Sequence, residues 1–442
     1  MAALAGPVVL AEVGWKTMGV VDTMMVGRVS PEAIGGVGVG SVLFFTTAIF
    51  GMGLLLGLDT FVSQSFGAGH LEECHRWLVH GFYLCLGLLP LLVLLNVLLV
   101  PWLPYWGLHP AVLSETVPYL KALLWGLLPL LLYACFRRYL QAMNQVKPIL
   151  LAMISANLVN AFANWVLIFG HLGAPAMGAE GAGWATSISR LYMMAVLLVA
   201  MRVHDRCQPT GLRRSLWKPE FARLRRLVSL GLPAALQITL EVGVFAAATA
   251  LAGKLAPIAL AAHQIALNVA SLTFMVPLGI ASAGAVRVGQ AIGRRDPEAA
   301  GRSGWTALAL GVGFMGLAGL TFLLLPHAIL RIFTTDQSVI STGATLLLIA
   351  AAFQLFDGVQ VVTTGILRGA GDTGSPMVLN LIGHWIIGLP VGYLLCFALG
   401  WGVFGLWIGL SLGLILVGAV LLLVWSRKVI SLKRGWTAAV EA

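Results

Sequence analysis

Long apolar runs separated by short polar punctuation set the pattern of the chain. Twelve runs stand out, at residues 7–27, 34–57, 77–100, 115–136, 149–169, 182–201, 228–251, 260–283, 304–325, 342–366, 377–399 and 402–425. Each approaches the roughly 20 apolar residues needed to cross a bilayer core as a helix. The predicted architecture is therefore an all-α integral membrane protein with twelve transmembrane helices. No stretch is long enough for a separate soluble domain. The first run reads as a full span rather than a cleaved leader, and a short segment upstream of Met1 is expected.

The second half repeats the first at a shift of 226 residues. Pro7 falls on Pro233, Gly27 on Gly253, Arg28 on Lys254, Pro31 on Pro257, Gly53 on Gly279, Gln64 on Gln290 and Gly67 on Gly293. Two six-helix bundles follow, at 1–201 and 227–426. A basic cytoplasmic loop at 202–226 joins them, and 427–442 forms a cytoplasmic tail. Six spans per repeat make the repeats parallel, related by an axis along the membrane normal. That arrangement is a transporter signature, with substrate held near the midplane.

Composition agrees with this pattern. The chain is 59% hydrophobic and 10% charged, against roughly 25% charged residues in soluble domains. A net charge of +10 could suggest nucleic acid. With a cytoplasmic N-terminus, however, 21 of the 27 Lys and Arg residues fall on the cytoplasmic side, as the positive-inside rule requires. The charge sets orientation, and no nucleic-acid partner is expected. The five cysteines (Cys74, Cys85, Cys135, Cys207 and Cys396) show no metal-type spacing and read as small apolar residues. "GGVGVG" at 35–40 lacks the Lys-Ser/Thr of a phosphate loop and reads as a helix-packing surface.

The candidate chemistry lies in the acids inside the spans. A carboxylate at the bilayer centre costs roughly 2.5–3.5 kcal/mol on insertion scales, so it is paired, protonated or functional. Asp22, Glu241 and Asp357 are such residues. Helical spacing puts Trp15, Met18 and Met25 on the Asp22 face, where they could offer adaptable contact to varied substrates or simply pack the helix. In "NLVNAFANW", Asn157, Asn160 and Asn164 share one face and could hydrogen-bond a carboxyl in either form. In the second half, Phe245 lies one turn past Glu241 and could offer its ring to a cation. Gln354 shares the Asp357 stripe, with Gln360 at its edge, and Gln264 and Asn268 add a polar stripe. Oxygen ligands with carboxylates suit a sodium ion, and buried carboxylates suit a proton. Both remain open. Asp59 reads as structural, Glu12 and Lys16 as an i, i+4 pair, and His263 as a satisfied polar residue. Arg190 has no evident role.

The motifs "GVVDTMMVGR", "NLVNAFANW", "LEVGVF", "AAHQIALNVASLTFMVPLGIASAGAVRVGQAIG" and "FQLFDGVQVVTTGILRGAGD" occur in an order that resembles the multidrug and toxic compound extrusion (MATE) transporters. Glu241 together with Asp357 is similar to the NorM-type bacterial branch. The resemblance implies a multi-pass protein of the bacterial cytoplasmic membrane with both termini inside, and alternating access. It implies antiport of small cationic or amphipathic compounds against Na+ or H+, with no other cofactor. It gives cation-coupling roles to Asp22, Glu241 and Asp357, the latter two as Na+ ligands if sodium is the ion, and supporting roles to Asn160, Asn164 and Phe245. A monomer embedded in lipid is expected. A lipid-linked precursor flippase would need a cation-lined groove, and a membrane enzyme would need clustered catalytic motifs. Neither pattern is found.

Overall fold

The computed structural model describes residues 1–107, 109–207, 211 and 218–440. Arg213 and Arg214 of the predicted basic loop, the side chain of Cys207 and the last two residues of the predicted tail lie outside this set. Among the described residues the regular structure is entirely helical. In chain order the helices are α1 (Ala2–Val26), α2 (Pro31–Leu54), α3 (Gly57–Gly67), α4 (Leu71–Leu99), α5 (Pro110–Trp125), α6 (Leu127–Ala142), α7 (Lys147–Phe169) and α8 (Gly178–Cys207). They continue with α9 (Phe221–Ala252), α10 (Pro257–Gly293), α11 (Pro297–Leu324), α12 (Pro326–Arg331), α13 (Gln337–Gly369), α14 (Gly374–Asn380), α15 (Leu389–Tyr393) and α16 (Gly402–Val440). Among the described residues, eleven segments are individually long and apolar enough to span a membrane, and the bent pair α5–α6 makes twelve.

The chain is a multi-pass membrane protein, and its helices overrun the predicted spans. A backbone ladder need not stop where the apolar run stops, because each added residue contributes another bond. Thus α8 reaches Cys207, α9 starts at Phe221 and α16 continues to Val440, so both ends of the predicted loop and residues 427–440 of the predicted tail are helical. The fourth span bends by 45° between α5 and α6. Pro129 lacks the N–H that would bond one turn back to Trp125, so the ladder breaks beside Gly126. The eleventh span includes two π-helical stretches, Leu381–Gly388 and Leu394–Ala398, on either side of Pro390. Such wide turns accommodate missing backbone donors.

The described chain divides into two compact units. One comprises Leu10–Ala235, and the other Met1–Val9 with Leu236–Ala442. Both boundaries fall inside helices, so each unit takes in one end of a helix that continues in the other. Within the first unit, the start of α9 packs on α2. A β-carbon at Gly53 would lie 2.6 Å from the Ala235 Cα. Within the second, the start of α1 packs on α10, where a β-carbon at Gly279 would lie 2.8 Å from the Val9 Cα. These contacts are repeat-mates: 226 residues separate Gly53 from Gly279 and Val9 from Ala235.

The "GGVGVG" run lies in α2, where Gly36 and Gly40 admit Glu115 and Tyr119 of α5. A β-carbon at Gly40 would stand 2.5 Å from the Tyr119 ring. Cys74, Cys85, Cys135 and Cys396 are buried free thiols.

Candidate functional site

The interior of the first unit is organised around Asp22 on α1. Its carboxylate is buried and accepts two hydrogen bonds. The Asn164 amide of α7 donates to Oδ1 at 2.6 Å, and the Thr186 hydroxyl of α8 donates to Oδ2 at 2.9 Å. Asn164 also donates to the Asn160 oxygen at 3.2 Å. Asn160 and Asn164 therefore join Asp22 as their spacing predicted. Asn157 does not. Its amide bonds the Gly14 and Met153 carbonyls, fastening α7 to α1. Its place one turn earlier on α7 puts it opposite α1 backbone rather than the acid. Thr186 was missed because one threonine in "GWATSISR" carries no periodic signal.

Trp15, Met18 and Met25 do share the Asp22 face and pack into the first unit's core. Trp15 stacks on Tyr133, with ring centroids 6.4 Å apart. These contacts match ordinary helix packing and account for the stripe without a ligand.

Nearer the start of α1, Glu12 pairs with Arg137 of α6 rather than with Lys16. The i, i+4 spacing permits a pair with Lys16, but a buried guanidinium from another helix offers Glu12 a charge-assisted hydrogen bond that local spacing does not reveal. Asp59 is fully buried and meets Arg138 at 3.2 Å.

In the second unit, Glu241 of α9 accepts a bond from Gln237 at 2.6 Å and one from Gln360 of α13 at 3.4 Å. The Gln360 amide also reaches the Asn380 oxygen of α14, at 3.3 Å. Asp357 is buried on α13, near enough to Glu241 for the two carboxylates to repel each other. Neither forms an ion pair with a basic side chain among the described residues. Phe245 packs between the apolar clusters of this unit.

Three predicted supporters lie elsewhere. Gln354 donates to Thr273 of α10 at 2.6 Å and so pins α13 to α10. Gln264 and Asn268 lie on the exposed face of α10, where Asn268 donates to the Gln264 carbonyl at 3.0 Å. Helical spacing aligned these residues with each other but did not fix which way the stripe faces. The opposite face carries His263, which is satisfied by Thr249 and the Trp407 indole, both at 2.9 Å.

The MatE family model matches residues 7–166 and again 233–394, one match in each repeat. The chain belongs to the MATE family. It is a transporter, not an enzyme. A probable multidrug resistance protein NorM from Mesorhizobium japonicum is 38% identical over 438 residues, covering 96% of this chain and 93% of its own. The multidrug resistance protein MdtK of Edwardsiella ictaluri is 33% identical, covering 93% of this chain and 91% of its own. In fold, the chain is similar to the eukaryotic MATE transporter AtDTX14, with a TM-score of 0.86, 21% identity and 98% of each chain covered. These relatives place the chain in the NorM-type branch of the MATE family.

Proposed function

We propose that this MATE protein is a multidrug exporter of the bacterial cytoplasmic membrane. It exchanges inward movement of Na+ or H+ for outward movement of cationic amphipathic compounds. The observation carrying this reading is the pair of half-buried Glu241 and buried Asp357, two mutually repelling acids with no basic partner among the described residues. Two uncompensated carboxylates in an apolar bundle are costly until a cation or proton neutralises them. Gln360 lies against Glu241 with its own buried Oε1 unpaired among the described residues. Together with the carboxylates it forms an oxygen set suited to a hard monovalent cation.

Binding that ion would favour the bundle arrangement that buries the acids. A cationic drug competes for the same negative field, so ion and drug exchange. Inward movement of each net charge contributes about 2.3 kcal/mol per 100 mV of membrane potential. The multidrug names of the NorM and MdtK relatives support the substrate class. The acidic interior supports this reading over a flippase, whose anionic substrate it would repel.

The test is efflux of a cationic dye from vesicles containing the purified protein, under an imposed sodium gradient and then an imposed proton gradient. Efflux under one gradient identifies the coupling ion. No efflux under either overturns the reading.

A further inference from the structure

Arg190 is a buried cation whose role neither the sequence nor the coupling scheme explains. It lies on α8 one turn past Thr186, the residue that donates to Asp22. It is only 2% exposed. Its guanidinium carbon stands 4.3 Å above the Phe44 ring and 6.0 Å from the Phe45 ring, both on α2. A cation over an aromatic face is attracted to it, but a ring accepts no conventional hydrogen bond from the guanidinium edge. Nε and Nη1 are buried and have no acceptor among the described residues. The Tyr119 and Ser41 hydroxyls bond each other at 2.8 Å.

Asp22 and Arg190 attract each other but form no ion pair. Asn164 and Thr186 hold the acid on one side, and Phe44 holds the base on the other. The result is one negative and one positive charge, both buried, with no ion pair between them. A buried arginine with free donors is costly unless an oxyanion meets it, and its planar fork suits a carboxylate. Monovalent charge on each side favours a carboxylate over a phosphate monoester, which would bring close to two negative charges.

We propose that Arg190 forms an oxyanion subsite in the first bundle. A zwitterionic amphiphile would be held with its ammonium or delocalised cation toward Asp22 and its carboxylate on Arg190. Arg190 thus sets specificity among the compounds exported, and the inference rests on the exporter reading.

The test uses a zwitterionic rhodamine free acid and its methyl ester, which differ only in the carboxylate. Binding of each to the purified protein is measured by fluorescence polarisation without any ion gradient. A defect in coupling therefore leaves this measurement intact, while the gradient-driven efflux of a cationic dye tests transport separately. The native protein should bind the acid at least 10-fold tighter than the ester. Arg190→Gln should abolish that preference while retaining ester binding, and Arg190→Lys should restore part of it. Equal binding of acid and ester by the native protein overturns the proposal. So does parallel loss of both ligands in Arg190→Gln with the protein still folded. If Arg190→Gln fails to fold, the native acid-to-ester ratio decides alone.

Discussion

In the unit built from Leu10–Ala235, Glu12 meets Arg137, Asp59 meets Arg138, and Asp22 lies in the field of Arg190. In the unit built mainly from Leu236–Ala442, Glu241 lies in the repulsive field of Asp357 and holds two amides, and neither acid has a basic partner among the described residues. The same six-span plan thus sets its interior acids beside arginines in one copy and leaves Glu241 and Asp357 without them in the other. Duplication preserved the packing while the electrostatics diverged. A bundle that already balances its charge needs no ion to close, whereas one that does not must acquire one. On the proposed reading, ion coupling would belong to the second bundle and discrimination among substrates to the first.

The largest effect expected from this contrast concerns transport. Glu241→Gln and Asp357→Asn should each reduce gradient-driven dye efflux to background while the protein still reaches the membrane. Both should also raise the melting temperature, because a buried uncompensated charge is removed. Efflux at the native rate in both variants would dissolve the contrast. Asp22→Asn should move stability the other way. It removes the anion whose field offsets the Arg190 cation, and the loss should stay below the roughly 3–5 kcal/mol of breaking a buried ion pair, since the two form none. Adding Arg190→Gln to Asp22→Asn should recover most of that loss in thermal unfolding. A double variant no more stable than Asp22→Asn alone would show that the two charges are independent.

Smaller effects probe where the copies remain alike. Gly53→Ala and Gly279→Ala should each destabilise the protein by roughly 1–3 kcal/mol, as overpacking does. Melting curves for the two should shift by similar amounts, and a shift in only one would break the equivalence of these contacts. Thr186→Val removes one donor to Asp22 and should cost about 1–2 kcal/mol. The smallest effect is expected from Asn268→Ala. Its amide bonds only its own helix, so melting should stay within about 0.5 kcal/mol of native and efflux should be unchanged.

Much of this arrangement was legible in the sequence, and the exceptions have a common cause. Apolar run length revealed the spans because lipid demands it. The 226-residue repeat of glycines and prolines revealed the duplication, and the spacing of Asn160 and Asn164 placed them opposite Asp22. What spacing could not supply was the choice among partners on other helices. Glu12 had an apparent partner four residues away and took Arg137 instead. Gln264 and Asn268 formed a clean stripe that lies on the exposed face of α10. Thr186 and Arg190 are single residues on α8, and their importance emerges only when α1, α2 and α8 are packed together. The π-helical turns around Pro390 were equally hidden, because a proline announces a disturbed ladder without specifying how it is mended.

The crossing of helix ends at Gly53 and Gly279 means that half of this chain is not a self-sufficient folding module. Cut between α8 and α9, the front fragment would lack the helix start that covers Gly53. The rear fragment would lack the residues Met1–Val9 that cover Gly279. Each would expose a glycine-lined groove shaped for a piece of the other, so the fragments should be recovered only when synthesised together. The same reciprocity bears on ancestry. A half-length forerunner would have had to trade these ends between two copies of itself, and fusing the copies made that exchange permanent while freeing their interiors to specialise.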